Sequence, residues 1–244
     1  MTPLPDFPYY RDQPVAVHAG GWLVLLGSVA VAFTVLTLVP WRTFPLNLVP
    51  ALLFVAIPLI ALRAVTGPHW TALFRTVGLK EIGLMVAFAL LTIVSSFGVG
   101  FALSRVMEFA DNPASEAMRG MTGLQFAGVL SATVPQLIGE ELLGILPFLA
   151  VLWLCVSRLG MQRRIGIAVA LVVSALIFGA AHLPTYDWNW TQSLLVIGTA
   201  RMMLTLAYIV TRNLWVSAGA HIINDWSGFF LVFELGHVPI GTAG

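Results

Sequence analysis

The sequence predicts an all-α, polytopic transmembrane helix bundle with seven or eight spans of ~20 residues each. Three observations predict it. Of 244 residues, 59% are hydrophobic and only 9% are charged, against about 45–50% apolar and about 25% charged in soluble domains. The mean hydropathy is +0.92. The apolar residues come in runs near the ~20 residues that a helix needs to cross a bilayer, separated by short polar stretches. Such runs use up the length, so residues 1–244 read as a single transmembrane domain. The net charge of +1 carries no electrostatic footprint for nucleic acid. The single cysteine, Cys155, excludes an intrachain disulfide and a cysteine metal cluster.

In chain order, residues 1–19 contain four prolines and are expected to form an irregular cytosolic or interfacial tail. Tyr9, Tyr10 and Trp22 suit the interface, where amphipathic rings are favoured. No cleavable signal peptide is expected, because residues 1–13 are polar and the following apolar run is long enough to span. The first span is residues 21–39, closed by Pro40-Trp41-Arg42. The second is residues 46–62, with Pro50 and Pro58 expected to bend it. The third is residues 82–103, where Ser95, Ser96, Gly98 and Gly100 suit close helix packing.

Residues 104–121 are polar, with Arg105, Glu108, Asp111, Glu116 and Arg119, and have room for an interfacial helix. Residues 122–156 are too long for one straight span and short for two, and Pro135 and Pro147 are expected to break them. A loop at 157–164 follows, then spans at 165–182, 192–210 and 214–233. Tyr186, Trp188 and Trp190 give residues 185–190 an interfacial composition. Arg63, Arg75 and Lys80 in one loop, and Arg158, Arg163 and Arg164 in another, predict that both loops are cytoplasmic. Residues 122–156 must then cross an odd number of times. One long, kinked crossing gives seven spans, with the N-terminus inside and the C-terminus outside; a half-span would add an eighth. No internal repeat is visible, which disfavours an inverted-repeat transporter.

Against this background Glu140-Glu141 stands out. An ionisable side chain at a helix centre costs about 2.5–3.5 kcal/mol on insertion scales, so two in succession need a reason. The later spans also hold His182, Arg201, His221 and Asp225, with Asn224 beside them, while the first three spans hold no charge in their middles. His221 and Asp225 are four apart and share a helix face. A bundle must satisfy all of these internally, most simply in one polar pocket. A carboxylate with a nearby histidine can activate water as a general base, and a second histidine with a polar partner can stabilise an oxyanion. The same side chains also suit a zinc site, with His and Glu as ligands and a second Glu as base. A proton- or ion-coupled carrier is the reading from another class, since Glu, Asp and His also build proton relays.

Three motifs occur in order: Glu140-Glu141-Leu142-Leu143-Gly144-Ile145, Phe178-Gly179-Ala180-Ala181-His182 and His221-Ile222-Ile223-Asn224-Asp225. Over residues 122–230 the chain thereby resembles the CPBP (CAAX protease and bacteriocin-processing, or Abi) family of intramembrane endopeptidases, related to the Ras-converting CAAX endopeptidases. The resemblance implies that Glu140 is the water-activating base and that His182 assists it. It implies that His221 and Asp225 bind the scissile carbonyl and its oxyanion, with Glu141 in support. It implies a glutamate-based mechanism with no catalytic metal, zinc remaining the alternative. It also implies a peptide or membrane-protein substrate, prenylated CAAX peptides among them, met in the lipid bilayer. The expected location is a bacterial inner membrane. Residues 1–103 are then scaffold helices, and residues 122–235 the motif-bearing catalytic core.

The chain departs from the family at one position: Ile145 stands where the first motif has an arginine. Arg201, the one mid-span arginine, is expected to take over by pairing with Glu141. Spacing favours Asp225 as the third motif's terminal residue, with the supporting Asn224 about 100° further round the helix. A noncatalytic immunity or scaffolding protein stays open as a reading because of Ile145. The nominal spans also place His182 and His221 at depths that differ by over ~10 Å, at ~1.5 Å per residue.

Overall fold

The computed structural model describes residues 6–237, whose regular structure is all helical, with no strand among them. The helices are α1 (Ala19–Leu38), α2 (Leu48–Thr66), α3 (Leu79–Leu103), α4 (Pro113–Met118), α5 (Gly123–Trp153), α6 (Arg163–Ala181), α7 (Gly198–Thr211) and α8 (Leu214–His237). Six helical segments are long and apolar enough to cross a membrane, formed by α1, α2, α3, α5, α6 and α7 with their end extensions. With 24 residues α8 is long enough for a seventh. His221, Asn224 and Asp225 lower its hydropathy. The short α4 is the helix within the polar connection at 104–121.

The stretch that was ambiguous in the sequence is one unbroken helix. Pro135 and Pro147 lie inside α5 without ending it, and a wider turn carries the helix on to Arg158. This corrects two expectations: the prolines do not break the segment, and the connection to α6 starts later than residue 157. A proline removes one backbone donor and crowds the preceding turn. Packing on every side holds the helix together regardless. In its most apolar window α5 is 83% buried, against 11% in α3, so α5 is the core of the bundle and α3 presents most of its surface to lipid. Helices α1, α2, α6, α7 and α8 all pack on α5, while α3 lies against α7 and α8. Gly123–Arg158 spans 36 residues, about 50 Å at ~1.5 Å per residue, well beyond a ~30 Å hydrocarbon layer. Its start is closed by Thr122 and Gln125, each bonding the other's backbone N–H.

The N-terminal segment is not a surface tail. Phe7, Tyr9, Tyr10 and Val17 are buried, as is Trp22 at the head of α1. Phe7 packs edge-on against Phe148 of α5, with ring centroids 5.5 Å apart, and lies 6.1 Å from the Tyr208 ring of α7. Arg212 stacks 3.7 Å above Phe7. The Tyr9 hydroxyl donates to the His69 carbonyl at 2.7 Å, and Asp6 pairs with Arg163 at 2.6 Å. Partial burial of Asp6 opposes its ionisation. Hydrogen bonds from Arg163, Tyr10 and the Phe7 amide outweigh this and hold the carboxyl below its usual range. Tyr9, Tyr10 and Trp22 are thus packed into the bundle end and not exposed around it. Their rings are large enough to fill the bundle end, and each tyrosine hydroxyl finds an acceptor there.

These contacts also order the bundle ends. Residues 6–17, the turn after α2, the α5–α6 connection and the α7–α8 turn share one end. Asn213 completes it by accepting from the Arg75 amide at 3.1 Å. Arg63, Arg75, Lys80, Arg158, Arg163, Arg164 and Arg212 all belong to segments meeting at or near this end. Residues 104–121 and 183–191 meet at the other.

Candidate active site

Four helices each bring a polar or aromatic pair with i, i+4 spacing. Such a pair shares one face of its helix. On α5, Gln136 Nε2 donates to Glu140 Oε1 at 3.0 Å. On α7, Arg201 Nε donates to Thr205 Oγ1 at 3.1 Å. On α8, His221 Nε2 lies 3.7 Å from Asp225 Oδ1. At the end of α6, His182 Nδ1 lies 2.9 Å from the Phe178 carbonyl oxygen, which makes Nδ1 the protonated nitrogen and leaves Nε2 as an acceptor.

Glu141 joins three of these helices. Arg201 grips it with both terminal nitrogens, Nη1 to Oε1 at 2.7 Å and Nη2 to Oε2 at 2.9 Å. Both side chains are fully buried. The expected pairing of Arg201 with Glu141 is thus present, in the bidentate geometry that a guanidinium fork favours. Gly144 makes it possible. A Cβ there would lie 2.9 Å from Arg201 Cζ and Nη1, so the third residue after Glu141 must be glycine for the guanidinium to fit. Ile145, the position of the missing motif arginine, is buried in the apolar core. The Phe178 ring covers Arg201, 5.2 Å from Cζ. Gly179 lets α6 approach this closely, since a Cβ there would meet the Ser193 carbonyl oxygen at 2.6 Å.

His221 is the hub. Its Nδ1 lies 2.9 Å from Glu141 Oε1 and donates to that carboxylate. Its Nε2 then faces Glu140 Oε2 at 3.8 Å and Asp225 Oδ1 at 3.7 Å. Asn224 donates to Asp225 Oδ1 at 2.8 Å and so steadies it. The three carboxylates differ in access. The Glu141 side chain is 0% exposed, that of Glu140 11% and that of Asp225 25%. Glu141 is sealed inside its ion pair, while Glu140 and Asp225 border an accessible space.

Phe178 bridges the two histidines. Its ring centroid is 4.5 Å from that of His182 and 6.3 Å from that of His221. The depth difference expected from nominal spans therefore does not separate them, because both imidazoles contact one ring. His182 makes its hydrogen bond within its own turn. Gln136, Thr205, Phe178 and Gly144 complete the arrangement, and polarity alone did not mark them. The i−4 spacing of Gln136 from Glu140 was the one legible signal. Among the described residues no three His, Cys, Asp or Glu side chains converge as metal ligands, and His221 Nδ1 is committed to Glu141.

Residues 122–227 match the family model described as type II CAAX prenyl endopeptidase Rce1-like. No curated protein and no solved structure matches the chain. The matched stretch runs from the cap of α5 into α8 and contains every site residue described above. The ordered motifs and the converging side chains thus fall within one matched, membrane-embedded stretch. The N-terminal segment and α1 to α4 lie outside it.

Proposed function

We propose that the chain is an intramembrane endopeptidase that hydrolyses a peptide bond with water activated by Glu140. Its substrate class is a prenylated peptide ending in a CAAX sequence, the class that the matched family's description names. The observation that carries this reading is the contrast within the carboxylate pair. Glu141 is locked in a sealed ion pair, while Glu140 keeps an oxygen facing His221 beside accessible space.

The chemistry follows from the groups present. Glu140, oriented by Gln136, takes a proton from water, and the water oxygen bonds to the scissile carbonyl carbon. The carbonyl electron pair moves onto its oxygen. His182, with Nδ1 committed to Phe178, offers Nε2 to the same water. His221, aimed by the Glu141–Arg201 pair and carrying a proton on each ring nitrogen, donates from Nε2 to the developing oxyanion beside Asp225. Collapse of the intermediate breaks the C–N bond, and the leaving nitrogen takes the proton held on Glu140. No metal takes part in this sequence. The arginine-rich end of the bundle is cytoplasmic, as the positive-inside rule requires.

An internally quenched farnesylated CAAX peptide tests this reading with the full chain in detergent micelles. Cleavage by the wild type and its loss in Glu140→Gln and His182→Ala are expected. Wild-type rates in both variants would overturn the reading.

A further inference from the structure

Tyr186 lies one turn beyond His182, on the segment that joins α6 to α7. Its backbone N–H donates to the His182 carbonyl at 3.3 Å, so the two residues share one tight turn. The residue is 9% exposed, while Trp188 and Trp190 on the same segment are 62% and 57% exposed. The tyrosine is turned into the protein and the tryptophans away from it. Its hydroxyl oxygen accepts from Asn112 Nδ2 at 3.4 Å. Among the described residues no acceptor takes its proton.

Asn112 is itself held in place. Its Oδ1 caps α4 by accepting from the Ala114 amide at 2.9 Å. Two residues earlier, Gln192 clasps the Ala110 backbone, accepting from its N–H at 2.9 Å and donating to its carbonyl at 3.0 Å. Asn189 donates to the Glu108 carbonyl at 3.2 Å. Residues 108–112 thus form a strap across the α6–α7 connection, and its far end fixes the phenol. Burial, followed by the nearby charges of Asp225 and Glu140, pushes the Tyr186 hydroxyl up to about 12. The phenol therefore keeps its proton at neutral pH, within electrostatic reach of both carboxylates.

Beside His221 Nε2, the site needs a second such donor. An ionised carboxylate only accepts hydrogen bonds, so Glu140 and Asp225 offer nothing to a developing oxyanion. His221 Nδ1 is committed to Glu141. Preorganised donors at the oxyanion are the usual requirement of acyl hydrolysis.

We propose that Tyr186 is a further catalytic residue, whose phenolic O–H donates to the scissile carbonyl oxygen as that oxygen becomes an anion. Asn112 is its positioning residue. The phenol keeps its proton throughout, so bonds are exchanged only among the water, the carbonyl carbon and the leaving amine. The inference rests on the hydrolytic reading of the site.

Steady-state cleavage of the farnesylated CAAX peptide by the full chain separates the two. Tyr186→Phe keeps the ring and removes the O–H. A fall in kcat of about 10²-fold with KM unchanged is expected. In a Glu140→Gln background, Tyr186→Phe is expected to leave peptide binding unaltered. A variant with wild-type kcat, or one altered only in KM, overturns the inference and leaves the hydrolytic reading standing. A kcat loss accompanied by weaker peptide binding and a lower unfolding temperature marks a packing role and also overturns it. A wild-type chain that does not cleave, or a Glu140→Gln variant that cleaves normally, overturns the hydrolytic reading and this inference together.

Discussion

Arg201 on α7 holds Glu141 on α5 through two parallel hydrogen bonds of 2.7 and 2.9 Å, with both side chains sealed from solvent. The ion pair crosses the centre of the bundle and aims His221, which leans on the same carboxylate. Removing one partner leaves an uncompensated buried charge, which destabilises by about 3–5 kcal/mol. Arg201→Ala is therefore expected to lower the unfolding temperature sharply. The exchange Glu141→Arg with Arg201→Glu should recover part of the loss. No recovery in thermal unfolding would count against a direct pair.

Gly144 tests the same contact from its other side. A methyl group there must displace the guanidinium, which two hydrogen bonds hold on Glu141. Gly144→Ala should cost about 1–3 kcal/mol, the usual range for overpacking. If the variant unfolds at the wild-type temperature, the close approach of Arg201 is not what requires glycine.

Glu140 and Gln136 should separate chemistry from stability. Glu140→Gln keeps the shape of a side chain that bears no ion pair to Arg201, so folding should be little changed. Peptide cleavage should fall by about 10²-fold or more, the contribution of a positioned general base. Gln136→Leu should reduce cleavage less, since it removes only the hydrogen bond that orients Glu140. Equal losses from both would show that Glu140 does not act as the base.

The N-terminal segment should behave as part of the folded body. Phe7→Ala removes a buried ring that contacts α5 and α7, and about 3 kcal/mol of stability should go with it. Deletion of residues 1–17 should destabilise the bundle comparably. An unchanged unfolding temperature in both cases would place this segment outside the cooperative unit.

Asp6 gives that segment a pH dependence with a definite sign. Its carboxyl titrates lower in the folded chain than in the unfolded one. Its contribution is therefore fully present above the ordinary carboxylate value of about 4, and is lost as pH falls through the folded value. The wild type should exceed Asp6→Asn in unfolding temperature near neutral pH. The difference should shrink on acidification below about pH 4. A constant difference across that range would assign the effect of the substitution to something other than charge.

Much of the fold is legible in the sequence because the membrane imposes local rules. Each span announces itself as an apolar run, and the ~20-residue requirement makes counting possible. The misreadings arose where a local rule met a tertiary contact. Pro135 and Pro147 look like breaks, yet α5 survives them at the centre of the bundle. Tyr9 and Tyr10 look interfacial, yet their rings fill the end of the core. Within the site, Glu140, Glu141, His182, Arg201, His221 and Asp225 are visible as charges or imidazoles where the bilayer penalises them. Phe178 is visible only as the first residue of the second motif; Gly144 and Tyr186 are not marked as site residues, because glycine and aromatic residues are common in membrane proteins whether or not they line a site.

The sequence by itself determined that this chain is a membrane-embedded helix bundle, and which costly side chains it must satisfy inside. Both follow from properties that each residue carries alone: its transfer free energy and its place in a helical period. Only the tertiary structure decided which of those side chains meet. Glu141 and Arg201 are 60 positions apart, and His182 and His221 lie on different helices and meet across Phe178. Their encounter depends on the tilt, rotation and close approach of packed helices, which no single helix specifies.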